Sequence, residues 1–472
     1  MPEAPRRSLI LAGGGMRVAW QAGVLLALEE AGLEFFHGDA TSGGTMNLAM
    51  LLSGLSPSEL CERWRTLRVW DFAAPLPLRE YLRAPRVLGL AGADGIVGKV
   101  FPHLGIDVDA IRAARGMEGT FNVCNHATKE NETIGHPEID LGALVAGISL
   151  PVFMPPVERH GASYTDSVWV KDANLMAAVK RGAEELWLVW CIGNTPAYRR
   201  GAFAQYVHMI EQSANGVLFE ELDRIEELNR AIAAGHSAYG QRRAVVVHVV
   251  KPRYPLPLDP DFFLGRIDAS TLVAMGYRDA RGYLRSVSDG ASRGAEAAGA
   301  PFGPRATSME EPGVRVTWRE HAVGDLAGGM RIDLGVEVPD AQRFMSGPPR
   351  QAMLAGRVRG PALGDVLLEA GSVTLDDGAL VYDAAFVSDG RAIRLRGRRA
   401  AGGEGSALER LRSLAALEVE LDGQTGVLRS AGRCSAVPLS RMAVTNAPST
   451  RARLSTAARF RRFLLEALLG PS

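Results

Sequence analysis

The sequence predicts an α/β domain, then a smaller, mainly β domain, then a C-terminal helix. Three observations carry this reading. Over roughly the first 285 residues, short apolar runs alternate with helical periodicity, the pattern of parallel strands with helices on their faces. Around 286–312 the texture changes to small residues, Gly and Pro, which reads as a linker. Beyond it, short β-like runs are separated by Asp377-Gly378, Asp389-Gly390 and Asp422-Gly423, the turn signals of antiparallel hairpins. The predicted layout is 1–285, a linker at 286–312, a β-rich domain at 313–440 and a basic amphipathic helix within 441–472.

Ser8 to Ala12 is an apolar run ending in three glycines and reads as a buried strand. Val18 to Ala31 repeats its apolar residues (Trp20, Val24, Leu25, Leu28) at helical spacing, and Gly32 closes it. Phe35 to Thr41 reads as strand and turn, and Met46 to Leu52 as helix. Leu141 to Ser149 and Asn174 to Arg181 read as helices, as does the mixed-charge stretch 203–234. Glu185 to Ile192 and Ala244 to Val250 are continuous apolar runs, as expected of strands buried on both faces. In the second half, β-like runs occur at 314–318, 330–338, 364–375, 379–387, 392–399 and 416–422, followed by a helical pattern at 451–470.

Composition excludes several function classes. The 472 residues are 47% apolar and 22% charged with zero formal net charge, so nothing global points to nucleic acid. Cys61, Cys124, Cys191 and Cys434 are too scattered for a metal knuckle or a redox pair and read as buried reduced thiols. No metal or other cofactor is implied. Asp107 and Asp109 lack the rest of a calcium loop and read as a helix-start cluster. The opening residues do not make a signal peptide, and no run approaches a membrane span. The expectation is a cytoplasmic protein that touches a membrane only from the side.

Three segments carry chemistry. In LAGGGMRVAWQAGVL (11–25), consecutive glycines after a strand let backbone amides converge on one point, and the following helix adds its positive end. Such a nest holds a phosphate or the oxyanion of a tetrahedral intermediate. It also resembles the start of a dinucleotide-binding turn, with Asp39 as the acidic partner, although Val18 stands where that motif needs a small residue. In GDATSGGTMNLAML (38–51), Ser42 has Ala40 two before and Gly44 two after, the form of a nucleophile elbow with Ala for its first glycine. In ASYTDSVWVKDANL (162–175), Asp166 ends a β-like piece and opens a turn.

In order and spacing, the three segments resemble the patatin-like phospholipase family. The resemblance covers about residues 8–284, including 145–167 and 275–284. It implies a three-layer α/β/α hydrolase domain and a lipid acyl hydrolase of phospholipase A or lysophospholipase type, with a lipid or phospholipid acyl ester as substrate. Ser42 would be the nucleophile, Asp166 its base, Gly13, Gly14, Gly15 and Gly43 the oxyanion hole, and Arg17 a structural or electrostatic support. Val18, Ala40 and Ser167 each replace a glycine usual in the family. The alternative they leave open is a weak or silent patatin fold acting as a lipid-binding scaffold. A Ser–His–Asp triad would need a histidine after Asp166. His208 and His236 lie in helical sequence, His248 in an apolar strand reads as a core histidine, and His321 lies far beyond. Leu150, Val152, Phe153 and Met154 are placed to line an acyl pocket.

The second half holds no catalytic cluster. Its segment 354–399 faintly resembles a β-rich module found beside cholesterol-oxidase-like flavoproteins and some lipid esterases, which implies association with lipid and no reaction of its own. The tail carries Arg441, Arg451, Arg453, Arg459, Arg461 and Arg462, with Phe460, Phe463, Leu464, Ala467 and Leu468 near one helical face. Two readings stand open: a helix lying on an anionic membrane, or one packed on the protein with its arginines solvated. Oligomeric state is not legible.

Overall fold

The computed structural model describes residues 4–72, 89, 91–288, 306–402, 406–431 and 442–469. The chain divides into two compact units, Met1–Phe263 with Tyr283–Glu310, and Leu264–Gly282 with Glu311–Ser472. Most of the expected linker, and Cys434 and Arg441, lie outside the described residues.

In the first unit, β1 (Arg7–Leu11), β2 (His37–Ala40), β3 (Glu118–Asn125), β4 (Glu130–Gly135), β5 (Val157–Arg159), β6 (Ala162–Asp166), β7 (Glu185–Val189) and β8 (Val246–Val250) form one sheet. Its order is β5-β6-β3-β2-β1-β7-β8, with β4 also on β3. The strands from β3 through β2, β1 and β7 to β8 run parallel. The edge beyond β3 is antiparallel. Helices α1 (Ala19–Glu30), α2 (Gly44–Leu52), α3 (Pro57–Thr66), α4 (Val108–Ala113), α5 (Leu141–Gly147), α6 (Leu175–Lys180) and α7 (Ala202–Ala233) cross between them. Ile10, Leu186, Leu188 and Val247 on one sheet face pack with Leu175, Ala178, Leu218, Leu222 and Ile225 of α6 and α7. The strand residues of opposite parity, Leu9, Leu11 and Val189, are equally buried. Both faces are therefore covered, as the continuous apolar runs require. Asp107 caps α4 through the amides of Asp109 and Ala110, which is the helix-start role read from sequence. Cys61, Cys124 and Cys191 are buried free thiols. A short helix, α8 (Asp259–Phe263), ends the continuous part of this unit.

The second unit begins with most of α9 (Ala269–Ser288) and continues as a closed antiparallel barrel. Its strands are β9 (Arg315–Gly324), β10 (Met330–Val338), β11 (Gln351–Gly360), β12 (Gly364–Leu367), β13 (Ala370–Asp376), β14 (Ala379–Ser388), β15 (Arg391–Ala400), β16 (Ala416–Leu421), β17 (Gln424–Ser430) and β18 (Ala443–Thr445). The path runs β10-β11-β13-β14-β15-β16-β17-β9, and β9 returns to pair β10, which closes the ring. The run at 364–375 is two strands, because both β12 and β13 fold back onto β11. Each Asp-Gly pair has positive φ at both residues, the two-residue hairpin turn that matches strand twist. Inside the barrel Glu320 accepts from Trp318 Nε1 at 2.8 Å, Tyr382 Oη at 2.6 Å and Arg399 Nη2 at 3.0 Å. A charge taken out of water needs such saturation.

Two short helices, α10 (Ala341–Ser346) and α11 (Ala407–Ser413), precede the last, α12 (Thr450–Leu469). Phe460, Leu464 and Leu468 of α12 are buried in the barrel core beside Trp318 and Phe344. Arg451, Arg459, Arg461 and Arg462 remain exposed or half exposed. The helix thus spends its apolar face on its own unit. No helix among the described residues is long and apolar enough to cross a membrane.

Candidate active site

Sheet register brings the expected residues together at one edge. Leu11 pairs with Ala40 and with Val189, so the segments after β1, β2 and β7 emerge side by side. Ala40 pairs with Phe121, and two residues further Val123 pairs with Asp166. Ser42 and Asp166 are therefore level with the same point of β3. This is the carboxyl end of the parallel strands, where open α/β sheets carry their sites.

Ser42 sits at φ +53° between β2 and α2, in the left-handed region that most residues avoid. The turn is held by Thr41 N–H donating to Leu11 O at 3.1 Å and by Gly44 N–H donating to Thr41 O at 2.9 Å. Gly44 is obligatory, because a Cβ there would overlap the Leu11 carbonyl and lie 2.9 Å from Ala12 O. Ala40 is fully buried and fits without a glycine. Ser42 itself is 7% exposed.

Asp166 ends β6 and caps the turn that follows, its Oδ1 accepting from Val168 N–H at 2.9 Å. That bond fixes the rotamer and leaves Oδ2 buried with no hydrogen-bond partner among the described residues. Burial pushes the carboxyl up to about 7, partly offset by the adjacent Ser42 hydroxyl and the Val168 amide. The hydroxyl is thus close enough to stabilise the carboxylate without completing a hydrogen bond to Oδ2. Unliganded sites often hold their catalytic bonds loosely.

The glycine loop closes over Ser42. A Cβ on Gly13 would lie 2.7 Å from Ser42 Cβ and 3.2 Å from its Oγ. Gly13 N–H donates to Asp172 Oδ1 at 2.9 Å, so it is already committed. The amides of Gly14, Gly15 and Gly43 make no hydrogen bond among the described residues. Arg17 is buried and ties the loop down, Nε donating to Gly14 O at 2.9 Å and Nη1 to Ile192 O at 2.7 Å. Gln21 Nε2 reaches Ala12 O at 2.6 Å, and Cys191 Sγ lies 3.1 Å from Gly13 O. Beyond the glycines, Met16 N–H donates to Asp259 Oδ1 at 2.9 Å.

Sequence reasoning did not single out Asp172, Asp259 or Tyr206, and read Cys191 only as a buried reduced thiol. Asp172 stood in plain view six residues after Asp166. Asp259 lies 243 residues from the amide it holds, which no local pattern reveals. Tyr206 of α7 donates to Pro151 O at 2.7 Å and feels the charge of Asp166. Around it Phe153 and Trp169 stand edge-on with ring centres 5.4 and 5.5 Å away. Of the other pocket candidates, Met154 is buried, Leu150 half-buried and Val152 exposed at φ +77°.

The other proposals from sequence are placed elsewhere. Val18 is buried with its methyls against Gly43, and Ser167 is buried with its hydroxyl on Asn131 Oδ1. Asp39 is sealed inside the sheet on Thr120 Oγ1 at 2.6 Å and Asn122 Nδ2 at 2.7 Å, so no ribose could reach it. His248 stacks on Trp187 and binds Glu185 and Tyr283, a satisfied core histidine. His208 accepts from Arg199 N–H, His236 is exposed, and His321 pairs with Asp333 in the barrel unit. No cluster of potential metal ligands occurs among the described residues. A cavity of about 1000 Å³ in the first unit is lined by polar and basic residues including Lys129, Asn131, Lys171 and Lys180, and includes neither Ser42 nor Asp166.

Among solved structures, the crystal structure of VipD from Legionella pneumophila is 12% identical over 60% of this chain and 67% of that one, with a TM-score of 0.29. No curated protein matches the chain. The family model of patatin-like phospholipases matches residues 9–179, a shorter span than the 8–284 suggested by the motifs. That span holds the glycine loop, the elbow and Asp166, and over residues 9–179 the chain is similar to patatin-like phospholipases.

Proposed function

We propose that the protein is a serine acyl hydrolase acting on lipid esters, of phospholipase A or lysophospholipase type, with Ser42 as nucleophile and Asp166 as base. One observation carries this: a serine in a left-handed turn stands beside the unpartnered, buried Oδ2 of an aspartate, under a glycine loop with uncommitted amides. A hydroxyl needs a base to become a competent nucleophile, and a carboxyl raised to about 7 is a far better base than an ordinary one.

In the first step Ser42 Oγ attacks the ester carbonyl carbon and its proton passes to Asp166 Oδ2. The carbonyl oxygen becomes an oxyanion, met by the amides of Gly14, Gly15 and Gly43. The carbon–oxygen bond to the alcohol then breaks, the alcohol takes the proton from Asp166, and an acyl–serine ester remains. Water repeats the sequence with Asp166 again as base and releases the fatty acid. Phe153, Trp169 and Tyr206 supply an apolar wall suited to an acyl chain.

Ser42→Ala should abolish hydrolysis of a p-nitrophenyl acyl ester, and Asp166→Asn should lower kcat by at least about a thousandfold. Full activity in either variant would refute the assignment. The near-complete burial of Ser42 favours a second reading, a silent fold that binds lipid without hydrolysis. A fluorophosphonate probe separates the two: stoichiometric labelling of Ser42 supports the enzyme, and no labelling supports the silent fold.

A further inference from the structure

We propose that Asp172 is a positioning residue of this site: its carboxyl captures the Gly13 amide, sets the first peptide of the glycine loop, and leaves the oxyanion to the amides that follow. This rests on the Ser42–Asp166 reading and extends it to a residue with no assigned role.

The geometry is specific. Asp172 is 1% exposed, and its Oδ1 accepts from Gly13 N–H at 2.9 Å. A Cβ on Gly13 would lie 2.5 Å from that oxygen and 2.7 Å from Ser42 Cβ, so Asp172, Gly13 and the nucleophile are stacked without spare room. Holding the Gly13 N–H toward Asp172 turns it away from a carbonyl bound at Ser42. The same peptide plane is fixed on its carbonyl side by Gln21 Nε2 at 2.6 Å from Ala12 O, the next by Cys191 Sγ at 3.1 Å from Gly13 O, and the one after by Arg17 Nε at 2.9 Å from Gly14 O. The loop is thus held through alternating groups, and Asp172 is its anchor nearest the nucleophile.

The second oxygen of Asp172 supports a role beyond anchoring. Oδ2 is buried and unpartnered among the described residues, as is Oδ2 of Asp166. The charged or titratable groups facing Asp172 are Asp166 at the end of β6, Arg17 after the loop and Cys191 after β7. Burial first, and then the charge of Asp166, push Asp172 up to about 8, while the Gly13 amide and Arg17 pull it back. Two buried carboxyls in one site titrate as a pair, and the one with the higher value keeps the proton. In the proposed arrangement the pair retains one proton on Asp172, the carboxyl that also feels its neighbour's charge, and Asp166 is left to act as base. When Asp172 also ionises, a second negative charge stands beside the developing oxyanion and opposes it.

The test compares the full-length wild type with Asp172→Ala, Asp172→Asn and Ser42→Ala, measuring kcat and KM on a p-nitrophenyl acyl ester from pH 5.5 to 9.5. Thermal unfolding accompanies each variant to show that it is folded. Asp172→Ala should lower kcat about tenfold to a hundredfold with KM little changed, because a misdirected oxyanion loop affects the transition state. Asp172→Asn keeps an acceptor for the Gly13 amide and should recover about tenfold of that loss. The wild-type kcat/KM should fall on the alkaline side near pH 8, and Asp172→Asn should lack that fall. A role confined to packing would move neither the kcat–KM split nor the alkaline limb. Wild-type kcat in Asp172→Ala, or an alkaline limb that persists in Asp172→Asn, would overturn the proposal. If Ser42→Ala remains active the parent reading fails. If it is inactive while Asp172→Ala matches the wild type, only this inference fails.

Discussion

At the scale of single residues, the proposed mechanism turns on how one carboxyl is made basic. Asp166 ends β6 with one oxygen on the Val168 amide and the other buried without a partner among the described residues, and loss of water around it raises its proton affinity. The proposed dyad recruits no histidine, so the acidic limb of the rate profile should report this carboxyl. With its value at about 7, kcat/KM should rise tenfold per pH unit below that point and reach its maximum between it and the alkaline fall near pH 8. The check is the profile between pH 4.5 and 7. A plateau already reached at pH 5 would mean an ordinary exposed carboxylate, or no carboxylate at all, takes the serine proton. The turn at Ser42 was legible in sequence because its constraints are local: small neighbours on both sides of Ser42 and an adjacent strand and helix. Asp172 was not, since a lone Asp before a helix looks like any cap until the fold sets it against Gly13.

At the scale of elements, the elbow and the glycine loop are two strand-to-helix turns pressed together, and glycine is needed where backbones meet. Gly44 of α2 faces the carbonyls of Leu11 and Ala12 in β1, which cannot yield as a flexible side chain would. Gly44→Ala should therefore push α2 off β1, costing about 1–3 kcal/mol and misplacing Ser42 enough to cut kcat about a hundredfold. Gly32 provides the contrast. It closes α1 at φ +71° with nothing near its missing Cβ. Gly32→Ala should cost about 1 kcal/mol through backbone strain alone and leave kcat of the folded protein unchanged. Denaturant unfolding and steady-state rates on both variants check this, and equal losses of activity would show that the close contact is not what matters. The main elements were readable from hydrophobic period: β1, β2, α1, α2, β7 and β8 fall within a few residues of expectation. The antiparallel edge of β4, β5 and β6 was largely hidden, because β5 and β6 are short and their exposed faces carry no alternation to read. The barrel hairpins were visible through their Asp-Gly turns, whereas closure of β9 onto β10 is a long-range fact with no local signature.

At the scale of the whole molecule, the first unit concentrates unusual acids. Asp39 and Asp166 are pushed up to about 7 and Asp172 to about 8 by burial, and Asp259 is raised as well. The unfolded chain releases these protons near pH 3.8, so between that point and 7 to 8 the folded state binds more protons than the unfolded one. Their stabilising effect is complete at low pH and is lost as pH rises through the folded values. His37 acts the other way, since burial lowers it to about 4 and folding excludes its proton from there up to about 6.5. Above 6.5 the histidine no longer contributes, and the raised acids alone set the slope. Stability should therefore fall from pH 6.5 to 8. Each acid still protonated in the fold contributes about 1.4 kcal/mol per pH unit at most. Asp39 isolates the effect, because it lies in the sheet on Thr120 and Asn122 and has no part in the proposed chemistry. Relative to the wild type, Asp39→Asn should gain stability steadily as pH rises from 4 to 7 and then hold constant. Denaturant unfolding with amide exchange in β1 to β3 measures that difference. A difference independent of pH would mean that Asp39 is ionised throughout, and that the interior of this unit is wetter than its burial implies.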